Sequence, residues 1–156
     1  MIRIMFICHG NICRSPMAEF VLKDMVKKRG LTEQFFISSS ATSREEIGNP
    51  VHYGTKNKLA AHGIDTSGKY AVQLKGSDYE DYDYLIAMDS LNLRNIGRII
   101  PDDPENKICR LLDFCGGGDI ADPWYTGNFD DTYDDILRGC EALLKHILQT
   151  GKASGK

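Results

Sequence analysis

Cys8, Arg14 and Ser15 fall within one eight-residue stretch, Cys8-His9-Gly10-Asn11-Ile12-Cys13-Arg14-Ser15, which closes an apolar run and precedes Pro16. Those residue types at that spacing suit phosphoryl chemistry. Cys8 is a candidate nucleophile, because a helix N-terminus and an arginine both favour a thiolate over a thiol. Arg14 offers a planar fork of donors that matches two phosphoryl oxygens, which the point charge of a lysine does not. The Ser15 hydroxyl can donate to the sulfur and ease its departure in a second step. Gly10 can adopt a positive φ freely and Asn11 at modest cost, so successive amides can curl into a nest for an anion.

The elements that hold this loop follow from the flanking pattern. Ile2 to Ile7 is rich in β-branched and aromatic residues and predicts a first strand, and Pro16 suits the first position of a helix. Ala18, Val21, Leu22, Met25 and Val26 recur at helical spacing, with Lys27-Lys28-Arg29 and then Gly30 at the C-terminal end. The loop is thus a strand-to-helix turn aimed at an anion by the helix N-terminus.

A second motif, Asp122-Pro123-Trp124-Tyr125, lies late in the chain. Pro123 biases Asp122 toward an extended backbone from which its carboxyl can project over the loop. Asp119 is the rival acid, set aside because it does not adjoin the Pro-aromatic pair. Trp124 and Tyr125 read either as a rim for an aromatic substrate or as packing anchors.

CHGNICRSPMAE near the N-terminus, paired with Asp-Pro-Trp-Tyr near the end, resembles the low-molecular-weight protein tyrosine phosphatase family over nearly the whole chain. The resemblance implies a cysteine-dependent phosphatase that acts on phosphotyrosine in proteins or on small aryl phosphates through a phosphocysteine. Cys8, Arg14 and Asp122 would be catalytic. His9, Gly10, Ile12 and Cys13 would complete the phosphate-binding loop, and Ser15, Asn11 and Ser39 would support it. Ser39 would bond Asn11, with a generic turn serine as the plainer reading. Asp89 would lie near the site in a structural role. Cys13 would form a reversible disulfide with Cys8, or else simply pack under the loop. The scheme calls for no metal and no organic cofactor.

Related activities are distinguishable at single positions. The resemblance implies Thr in the arginine phosphatases where this chain has Ile12, and a cysteine in the arsenate reductases where it has Met88. A binding module without catalysis would not need Cys8, Arg14, Ser15 and Asp122 together. The family often has an aromatic wall near position 45; here the segment is Arg44-Glu45-Glu46, either an acidic wall or a solvated loop.

The remaining sequence describes the scaffold. With 156 residues, 42% hydrophobic and 26% charged, a single domain over residues 1–150 with a short disordered tail at 151–156 is expected. A net charge of −3 gives no general attraction to nucleic acid, and neither a membrane span nor a signal pattern is legible. A cytoplasmic monomer is expected. The five cysteines lack zinc-site spacing, and Cys109 and Cys140 read as core residues. Strands are predicted at 34–38, 84–88 and 108–112, and helices at 51–62, at 90–96 and after Asp130–Thr132. The stretch 39–50 reads as loop and 64–83 as a solvated, irregular edge; His52 and His62 are not needed for catalysis. The alternation predicts an α/β three-layer sandwich with a central four-stranded parallel sheet flanked by helices.

Overall fold

The computed structural model describes residues 1–151; the remainder of the expected tail lies outside the described residues. Four strands, β1 (Ile2–Cys8), β2 (Phe35–Ala41), β3 (Tyr84–Ala87) and β4 (Ile108–Arg110), form one sheet in the order β2-β1-β3-β4. Every pairing is parallel. The helices are α1 (Arg14–Lys28), α2 (Tyr53–Ala60), α3 (Asp78–Asp81), α4 (Ser90–Ile99), α5 (Pro123–Thr126) and α6 (Phe129–Gln149), with short 3₁₀ turns at Thr32–Gln34 and Leu111–Cys115.

Alternation along β1 assigns the layers. Ile2, Ile4 and Phe6 join a core with Met17, Val21 and Leu22 of α1 and Ile136, Cys140 and Leu143 of α6. Met5 and Ile7 point the other way, into a second core with Leu85, Ile96 and Ile100, so α4 covers the opposite face. A parallel sheet buried on both faces is the expected three-layer arrangement. Because β1 sits between β2 and β3, the chain leaving its C-terminal end opens at a topological switch point, where sheets of this kind bind ligands.

Several boundaries differ from the sequence reading. β2 runs on through Ser39 and Ser40, both buried, because the register pairs Phe6 with Ser39 and Ile7 with Ser40. α1 begins at Arg14, so Pro16 is its third residue, still within the turn whose N–H groups need no helical acceptor. α2 is shorter than predicted and His52 caps it, accepting from Gly54 N–H. α6 is capped by Asn128 instead of Asp130–Thr132. Within 64–83, Asp78 and Tyr79 are buried, and Tyr79 donates to Asp103 at 2.7 Å, so this stretch is anchored to the chain leading into β4.

Candidate active site

Cys8 ends β1 with its Sγ 3.0 Å from Ser15 Oγ and 3.3 Å from the Asn11 amide nitrogen. Asn11 adopts φ 58°, whereas Gly10 does not take a positive φ. Position 10 is closely approached instead: a Cβ there would lie 3.3 Å from Glu46 Cγ. The loop carbonyls are turned outward. Those of Cys8 and His9 accept from the amides of Thr42 and Ser43, that of Ile12 from His52 N–H, and that of Cys13 from Thr55 Oγ1. The N–H groups of Gly10, Ile12 and Cys13 meet no acceptor among the described residues. Unpaired amides beside a helix N-terminus are suited to receive an anion.

Arg14 is 2% exposed and held on two sides. Its Nη1 donates to Asp89 Oδ2 at 2.6 Å and to the Ile120 carbonyl at 2.9 Å, and its Nη2 reaches Asp122 Oδ2 at 3.5 Å. Burial works against the guanidinium charge, but Cys8, Asp89 and Asp122 outweigh it and hold Arg14 above the ordinary arginine value. Asp89 also caps α4, accepting from Asn92 N–H at 2.7 Å, so one carboxylate fixes both a helix and the arginine.

Behind the loop, Asn11 Nδ2 donates to Ser15 Oγ at 2.8 Å and to Ser39 Oγ at 2.9 Å, while its Oδ1 accepts from Val72 N–H at 3.1 Å. Ser39 in turn donates to buried Glu19 at 2.5 Å, and Lys69 donates to the Ser39 carbonyl at 2.9 Å. Burial lowers the Lys69 ammonium below its ordinary range despite Glu19. Sequence reasoning missed Glu19 and Lys69. The available signal for Glu19 is its place one helical turn beyond Ser15, on the same side of α1.

Cys8, Ile12, Cys13 and Arg14 line a cavity of about 130 Å³. Asp122 lies at its edge as the cap of α5, with Oδ1 accepting from Trp124 N–H at 3.0 Å while Oδ2 faces Arg14. Trp124 and Tyr125 line the same cavity and are 57% and 83% exposed, which fits a rim and excludes packing anchors. The His52 ring meets Trp124 edge-on at 5.5 Å and stacks on Phe129 at 5.4 Å, bracing that rim. Glu45 and Glu46 form the facing wall, with Glu45 paired to His9 Nε2 at 2.5 Å. Asp119 is instead tied to Arg110 and Ser90, each at 3.0 Å. Burial, reinforced by Cys8 and Asp122, pushes the Cys13 thiol up to about 12. All five cysteines are free; Cys140 is fully buried and Cys109 partly so. Met88 is fully buried.

The family model for low molecular weight phosphotyrosine protein phosphatase matches residues 3–153. The chain is 41% identical over 150 residues to the low molecular weight protein-tyrosine-phosphatase YfkJ of Bacillus subtilis, covering 94% of this chain and 96% of that one. The crystal structure of YfkJ superposes with a TM-score of 0.92 over 96% of each chain. The low molecular weight protein-tyrosine-phosphatase PtpA of Staphylococcus aureus is 36% identical over 96% of each chain. A Drosophila arginine phosphatase is similar at 31% identity and a TM-score of 0.81, over 92% of this chain and 96% of that one. On these matches, which span its sequence and its fold alike, the chain belongs to the low molecular weight phosphotyrosine protein phosphatase family.

Proposed function

We propose that the protein hydrolyses phosphotyrosine in proteins, or small aryl phosphates, through a phosphocysteine. One observation carries this reading: the Cys8 sulfur, the unpaired loop amides, the Arg14 fork and the Asp122 carboxyl converge on one cavity. In the first step the Cys8 thiolate attacks phosphorus, the bond from phosphorus to the phenolic oxygen breaks, and Asp122 gives that oxygen a proton. The amides of Gly10, Ile12 and Cys13 and the Arg14 guanidinium hold the equatorial oxygens as charge develops. In the second step water attacks phosphorus, the S–P bond breaks, and Asp122 takes the proton from water. Ser15 stabilises the departing thiolate, and Asn11 and Ser39 keep Ser15 and the loop in place. Trp124 and Tyr125 flank the aromatic ring.

Ile12 lines the cavity, and the relatives at 41% and 36% identity bear the tyrosine name, which favours phosphotyrosine. The likeness to an arginine phosphatase makes phosphoarginine the second reading. The working unit is a cytoplasmic monomer formed by one domain, without nucleic acid or membrane partners. Among the described residues no helix is long and apolar enough to cross a membrane. Initial rates on phosphotyrosine and phosphoarginine peptides under reducing conditions, with Cys8→Ser as the blank, test the proposal. Cys8-dependent preference for phosphotyrosine supports it, and preference for phosphoarginine overturns the substrate. Absence of Cys8-dependent turnover of either leaves a binding module.

A further inference from the structure

A second cavity, of about 280 Å³, adjoins the catalytic pocket and shares His9 with it. Its other lining includes Thr42, Gln73, Asn95 and Arg98. The main chain here is already fixed, because the amides of Thr42 and Ser43 hold the carbonyls of Cys8 and His9. Gln73 is fixed too, donating to the Thr42 carbonyl at 3.3 Å and accepting from Arg44 Nε at 3.1 Å. That bond holds a second guanidinium near the cavity. Neither Arg98 nor Arg44 meets a carboxylate, and the Asn95 amide has no hydrogen-bond partner, among the described residues. No Asp or Glu lines this cavity, although the chain as a whole is acidic. Glu45 and Glu46 line the catalytic pocket instead.

A cavity lined by an arginine without a carboxylate partner and by an unpaired amide, with no Asp or Glu in its lining, is complementary to an anion. Its position beside the catalytic pocket says which anion. A peptide whose phosphotyrosine enters that pocket carries its neighbouring residues across the mouth, and two or three extended residues reach roughly 7–11 Å. We propose that this cavity is a substrate subsite that takes the carboxylate of an Asp or Glu flanking the phosphotyrosine, with Arg98 as its principal partner. The proposal rests on the phosphotyrosine reading above.

The test compares kcat/KM for phosphotyrosine peptides carrying Glu on the N-terminal or the C-terminal side with the same peptides carrying Gln. The wild type should prefer Glu on one side by roughly 1.5- to fivefold, the range of a solvent-accessible ion pair. Arg98→Ala should abolish that ratio, and Arg98→Glu should turn it into a preference for Lys at the same position. Arg94→Ala, on the same helix and outside the cavity, should leave the ratio unchanged. Equal rates on Glu and Gln peptides in the wild type, or a ratio that survives both Arg98 substitutions, overturn the subsite. So does an equal loss in Arg94→Ala, which would trace the preference to overall charge. If no phosphotyrosine peptide is turned over, the underlying reading fails first and the subsite with it.

Discussion

Asp89 ties the stability of α4 to the orientation of Arg14 through one carboxylate. One of its carboxylate oxygens accepts from the Asn92 amide and caps α4; the other accepts from Arg14 Nη1 at 2.6 Å. Losing an N-cap costs about 1 kcal/mol. A hydrogen bond to a charged group contributes about 1.5–3 kcal/mol, and this one is shielded, with Arg14 and Asp89 side chains 3% and 19% exposed. Asp89→Ala should therefore destabilise the fold by about 2.5–4 kcal/mol, or on the order of 10 °C in Tm. Asp89→Asn has only one acceptor oxygen for two donors. Keeping the cap turns its amide NH₂ toward the guanidinium, so it should retain the helix yet lose the arginine, at about 2 kcal/mol. Both variants release one side of Arg14, leaving the Ile120 carbonyl and Asp122 to orient it. A misdirected fork should lower kcat/KM by about ten- to a hundredfold. Urea melts report the first quantity and initial rates on p-nitrophenyl phosphate the second. Asp89→Ala within about 0.5 kcal/mol of wild type, or Asp89→Asn with full activity, would refute the double role.

Asp122→Asn should keep the cap on Trp124 N–H while removing the transferable proton. It should slow phosphotyrosine turnover by about 10²–10⁴ and leave competitive inhibition by inorganic phosphate intact; an unchanged rate would remove Asp122 from the acid role. Peroxide should inactivate the wild type in a form that dithiothreitol reverses and Cys13→Ser in a form that it does not, as mass spectrometry of the two would record. Because the Cys13 thiol is pushed up to about 12, closure of the disulfide should accelerate as pH rises. Asp103 supplies an acid-stability signal. Burial alone would raise its carboxyl, but the Tyr79 hydroxyl and the amides of Lys107 and Ile108 hold it below the ordinary carboxylate range. Its contribution is complete above the unfolded value and is lost as pH falls through the lower folded one. Melts between pH 5 and pH 2 should show Asp103→Asn with a flatter pH dependence than wild type.

The scaffold was most legible where a residue's environment is set by near neighbours. Alternation in β1 and helical spacing in α1 and α6 follow from burying one or two faces, and the structure has them within a few residues of the predicted bounds. β2 extends past its predicted end: Ser39 and Ser40 carry turn chemistry locally, but pairing with Phe6 and Ile7 keeps them in the sheet, where strand preference is decided by context. Tyr79 was hidden in an acidic stretch for the same reason. Its burial depends on Asp103 and Lys107, which lie more than twenty residues further along and are brought over it by the connection into β4.

The site divides along the same line. The loop from Cys8 to Ser15 could be read because its residues are contiguous in one strand-to-helix turn. Asp122 could be read because Pro123 restricts its backbone. Glu19, Lys69 and His52 could not, because their roles exist only after α1, the chain before α3 and the α5 rim are assembled: Glu19 acts on the loop through Ser39 and Asn11, Lys69 through the Ser39 carbonyl, and His52 through Trp124 and the Ile12 carbonyl. Gly10 is the instructive middle case. The sequence suggests a positive φ there, but the structure has that conformation at Asn11 and brings Glu46, from a distant loop, close to position 10. Local sequence thus shows which groups are proposed to react, while long-range packing determines how they are held and what surrounds their entrance. Substrate choice should accordingly follow the surface around His9, where the acidic wall and the arginine-bearing cavity meet, more than the phosphate loop itself.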